Sequence, residues 1–76
     1  MNEDIQNVST FFKGEPYNKL CEEANHNENA IELLEILDLT LASVIFFHNI
    51  NETYRYETEL NNVNKIVNII NKLYEE

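Results

Sequence analysis

From Ala30 to Ile50 the chain is apolar at 14 of 21 positions, and those positions do not share one side. At about 100° per residue, Leu34, Leu37, Leu41, Val44 and His48 form one seam with Ile45 beside it. Ile36, Leu39, Ser43, Phe46 and Ile50 form a second seam, turned well over ~100° from the first. Both have 3-4 spacing, so the pattern predicts a central helix over 29–50. A helix packed on one neighbour needs one apolar stripe. This one has two.

A second long pattern follows. Tyr56, Leu60, Val63, Val67, Ile70 and Tyr74 recur at spacings of 4, 3, 4, 3 and 4, flanked by Ile66 and Leu73. Glu57, Asn61, Asn64, Lys65, Asn68, Asn71 and Lys72 are assigned to the opposite, polar side. The expectation is a singly amphipathic helix over 52–75, separated from the central one by Asn49-Ile50-Asn51-Glu52. That joint has neither Gly nor Pro, so one continuous helix is the rival.

The amino-terminal part is harder to place. Val8-Ser9-Thr10-Phe11-Phe12 has strand-like composition and Lys13-Gly14-Glu15-Pro16 has turn chemistry, which together suggest an arm over 1–15 with Phe11 and Phe12 packed on helices. Pro16 suits a first helical turn, and a short helix is expected over 16–25 with Leu20, Cys21 and Ala24 inward. Asn25-His26-Asn27-Glu28-Asn29 breaks the pattern, and Asn27 or Asn29 can cap the central helix.

The fold expected is all-α: a helical hairpin plus a short amino-terminal helix. In a hairpin the last helix covers one seam of the central helix, and the arm is too short to cover the other. Leaving Ile36, Leu39, Phe46 and Ile50 in water forgoes burial worth ~1.5–3 kcal/mol for each fully buried side chain. A two-fold homodimer meeting across Ser43, whose small side chain permits close approach, resolves this as a dimeric four-helix-type bundle. The rival is a monomer whose arm folds over the second seam.

Composition narrows the function. With 14 Asp and Glu against 5 Lys and Arg, the formal charge is −9. Direct nucleic-acid binding draws on Lys and Arg to displace phosphate counterions, and this chain has few and scattered ones. Anionic membrane surfaces repel it for the same reason. Glu35, Asp38 and His48 interrupt the most apolar stretch, which argues against a spanning helix, and the first ten residues carry no export signal. A cytoplasmic location is expected. One cysteine excludes an internal disulfide.

Candidate chemistry is sparse. Cys21 and His26 lack the third group of a nucleophilic triad, one glycine allows no Gly-rich phosphate loop, and Tyr54-Arg55-Tyr56 offers a single cation. Glu23-Ala24-Asn25-His26 has the Glu-x-x-His spacing of helical di-iron proteins, but it sits beside an Asn-rich loop with no acid on a neighbouring seam. No catalytic, cofactor or metal residue is therefore assigned. The acidic cluster Glu22, Glu23, Glu28, Glu32, Glu35 and Asp38 is the one dense surface feature, and it suits a basic partner. The expectation is a non-enzymatic, homodimeric regulator or inhibitor that binds another protein. The rivals are an acidic nucleic-acid mimic that blocks a DNA- or RNA-binding protein, and a dimeric metal protein.

Overall fold

The computed structural model describes residues 2–75 and is all-helical, with four helices and no strand among the described residues. The helices are α1 (Asn2–Phe12), α2 (Glu15–Glu23), α3 (Glu28–Asn49) and α4 (Thr53–Tyr74). The last helix is the hub: α3 packs along it, and α1 and α2 both dock on it. Leu20, Leu37, Val63, Val67 and Ile70 are fully buried at the centre, with Phe11, Ala30, Val44 and Leu60 around them.

The expected arm over 1–15 is corrected: residues 2–12 form a helix, and Met1 lies outside the described residues. Ile5, Val8 and Phe12 recur at helical spacing, and Glu3 and Asp4 in the first turn complement the positive end of the helix dipole. The strand-like composition of Val8-Ser9-Thr10-Phe11-Phe12 is overridden because packing on α4 rewards one helical face, and strand propensity without a partner strand has nothing to pair with. The rings of Phe11, Phe12 and Tyr17 meet edge to face at 4.8–5.4 Å and fasten α1 to α2.

Asn64 is also corrected. Placed on the polar side of α4 by its sequence pattern, it is buried at 8% exposure under α1. Its Oδ1 accepts from Asn7 Nδ2 at 2.6 Å, and its Nδ2 donates to Leu60 O at 3.0 Å and to Asp4 O at 3.4 Å. Burial of an amide is tolerated when both ends are bonded. This one ties α1 to α4.

The helix ends follow from local chemistry. Asn27 caps α3, its Oδ1 accepting from the backbone N–H groups of Asn29 (2.9 Å) and Ala30 (3.4 Å). At the other end Asn51 takes a left-handed backbone, φ 61°, which asparagine tolerates better than most residues. Glu52 N then donates to Phe47 O and Asn51 N to His48 O, the pair of bonds of a Schellman stop. Asparagine thus does what glycine usually does, and the continuous-helix rival is excluded.

Candidate interaction face

The first seam of α3 points into the core, with Leu37 at 0% exposure, Val44 buried and Leu34 and Leu41 partly buried. Two of its expected members are not buried. Ile45 is 60% exposed, and His48 is an exposed residue of the last turn whose ring lies 5.3 Å from Tyr56. Both line an open groove beside Tyr56 and Leu60 of α4 that α1 does not fill.

The second seam faces away from α4. Ile36 is 49% exposed, Leu39 71%, Phe46 57% and Ile50 49%, with Ser43 half-buried between them. Helix α1 does not cover them: among the described residues it packs on α2 and α4 and not on α3. Between α1 and α3 there is instead an apolar groove of about 370 Å³, lined by Ile5, Val8, Leu41, Val44, Ile45 and Leu60. The thinnest Cα extent is 16 Å, room for two helix layers at the usual ~8–10 Å spacing. Among the described residues nothing is stacked on the outer side of α3.

The acidic cluster lies partly on this same face. Glu22 and Glu23 belong to the last turn of α2, and Glu28, Glu32, Glu35 and Asp38 lie along the first half of α3, all four exposed. Spacings of 4, 3 and 4 put Glu28, Glu32, Glu35 and Leu39 on one stripe, which Phe46 and Ile50 continue. Asp38 is turned toward α2, where its charge reaches Tyr17. The outer stripe of α3 is therefore acidic in its first half and apolar in its second. The sequence pattern held both halves, but treated them as separate features. Plotting every α3 residue on one wheel, charged positions included, reveals the continuity.

The remaining sequence candidates are placed as follows. His26 Nε2 is 3.3 Å from Glu23 Oε2 in an exposed contact three residues apart. No three His, Cys, Asp or Glu side chains converge among the described residues. Cys21 is half-buried, and its bond to the Tyr17 hydroxyl is the main cause that raises the Tyr17 pKa, followed by burial and by the charge of Asp38. Tyr74 is raised as well, chiefly by burial and then by Glu23. Arg55 lies 5.7 Å above the ring of Phe47, a cation–π contact that occupies the one cation of the Tyr54-Arg55-Tyr56 run, and Tyr56 packs against the core. No helix among the described residues is long and apolar enough to cross a membrane.

No protein-family model, curated protein or solved structure matches the chain.

Proposed function

We propose that the protein is a small, acidic, non-enzymatic interaction module that works as a homodimer in the cytoplasm and docks a basic macromolecular partner. The observation that carries the reading is the exposure of Ile36, Leu39, Phe46 and Ile50 along one side of α3, with no element among the described residues above them. A row of large apolar side chains of this kind marks a protein contact more often than bare surface. A second copy supplies an apolar face of the same shape, as a two-fold interface requires. Phe46, an aromatic residue near the middle of the apolar half, is the anchor such interfaces favour.

The acidic residues support the second half of the reading. Glu28, Glu32 and Glu35 project from α3 beyond the apolar half, and Glu22 and Glu23 lie on α2. A dimer doubles their number. Opposed potentials raise the rate of encounter with a basic surface and weaken as salt is added.

Light scattering across a concentration series tests the dimer: the chain is 9.0 kDa, and a rise to twice that mass is expected. A mass that stays at one chain at high concentration, with the helices intact, overturns it. Charge reversal tests the partner. Glu28→Lys/Glu32→Lys/Glu35→Lys bait is expected to lose a cellular protein that the unchanged chain retains at low salt and releases at moderate salt. Equal retention by both baits counts against acidic docking.

A further inference from the structure

We infer that the dimer is antiparallel, the two α3 helices crossing at Ser43 so that Ile36 of each copy meets Ile50 of the other. The inference rests on the homodimer reading above and adds its orientation. Its basis is the order of residues along the outer stripe. Glu28, Glu32 and Glu35 occupy the first half of that stripe, Asp38 being turned toward α2, and no Asp, Glu, Lys or Arg occurs from Leu39 to Asn49.

A parallel pair sets one row of carboxylates against the other. Helices pack about 8–10 Å apart, close to one Debye length at physiological salt, so those charges are only partly screened from one another. The antiparallel pair sends the rows to opposite ends. Their centres lie near residue 32, eleven residues from Ser43, and a rise of 1.5 Å per residue separates them by about 33 Å. At that distance, more than three Debye lengths, the repulsion is largely screened.

The apolar half is self-complementary about the same point. Ile36 and Ile50 each lie seven residues from Ser43, and Leu39 and Phe46 lie four and three residues from it on opposite sides. An antiparallel crossing therefore sets Ile36 against Ile50 and Leu39 against Phe46, with Ala42 and Ser43, both small, where the axes come closest. Each acidic half runs past the end of the other copy's α3, toward the amino end of α4 and its exposed Arg55, beside Glu52. That helix end has no side-chain cap and carries the positive end of its dipole.

Disulfide trapping reads the orientation. Ile36→Cys and Ile50→Cys chains are prepared separately, checked for helicity and mass under reducing conditions, mixed and oxidised. Both positions are half-exposed, so neither change opens the core. Cleavage after glutamate separates native Cys21 from the new cysteines, because Glu22 and Glu35 lie between them, and uniform 15N labelling of the Ile50→Cys chain gives the three disulfide products different masses. The mixed 36–50 disulfide is expected to dominate. The 50–50 disulfide is expected to be absent, since an antiparallel crossing holds those Cα atoms about 21 Å apart along the axis, and a disulfide needs less than about 7 Å. Dominant 36–36 and 50–50 products overturn the orientation and leave the dimer standing. A dimeric mass without any of the three removes α3 from the interface. A single-chain mass for the unchanged protein defeats the homodimer reading itself.

Discussion

Phe46→Glu separates association from folding. In one chain the Phe46 side chain is 57% exposed and makes one ring contact, an edge approach to its neighbour Phe47 at 5.4 Å. It is not part of the buried cluster. Full burial of a phenylalanine is worth ~1.5–3 kcal/mol, so covering the exposed part is worth roughly 0.9–1.7 kcal/mol per copy. A two-fold interface loses this twice, for a total of roughly 2–3.5 kcal/mol, or a 30- to 300-fold weaker dissociation constant at ~1.4 kcal/mol per decade. The introduced carboxylates do not enter the apolar contact without a partner, which makes this a lower bound.

Sedimentation equilibrium over a hundredfold range of concentration, run beside thermal unfolding, checks both halves. The variant is expected to stay at one chain where the parent is two. At dilutions where the parent is also single, unfolding should shift by no more than about 0.5 kcal/mol, the usual scale for an exposed substitution. At higher concentration the parent gains stability by mass action and the variant does not. Asn68→Glu makes the same charge change on an exposed position of α4 and should leave mass and stability nearly unchanged. A Phe46→Glu chain that associates as the parent does refutes the assignment of this face.

Leu37, at 0% exposure, is the opposite case: Leu37→Ala should cost ~2–5 kcal/mol. At ~0.05–0.15 kcal/mol per residue that is a large share of the total stability, and urea unfolding should shift its midpoint accordingly. Asn64→Ala removes the bonds to Asn7 and Asp4 and should cost ~1–3 kcal/mol. Amide exchange should quicken mainly in α1, while uniform loss across α3 and α4 would show that Asn64 supports the whole core. The hydroxyls of Tyr17 and Tyr74 have pKa values raised above 10.0 in the folded chain. Their contribution to stability is therefore complete below the unfolded value and is lost as pH rises through the folded one. Helicity should fall in the alkaline range above about pH 10, and Tyr17→Phe should lessen that fall; an unchanged alkaline profile in the variant would contradict the Tyr17 assignment.

Much of this architecture was present in residue order. The 3-4 recurrence from Tyr56 to Tyr74 marks the buried stripe of α4, because a helix that rests on one side of a core must repeat its apolar positions every turn. The double seam of α3 was legible for the same reason, and an asparagine cap at Asn27 or Asn29 was legible too, the structure placing it at Asn27, whose short side chain satisfies nearby backbone donors. These are local relations, set within one or two turns of chain. The helix at residues 2–12, the burial of Asn64 and the openness of Ile45 and His48 were not legible. Each depends on where another element comes to rest. Val8-Ser9-Thr10 is helical because α4 offers α1 a groove, and Asn64 can lie under α1 because Asn7, 57 positions earlier, supplies its partner. Contacts across such distances in sequence have no periodicity to read, since chain geometry constrains neighbours within a few residues and leaves the rest to packing.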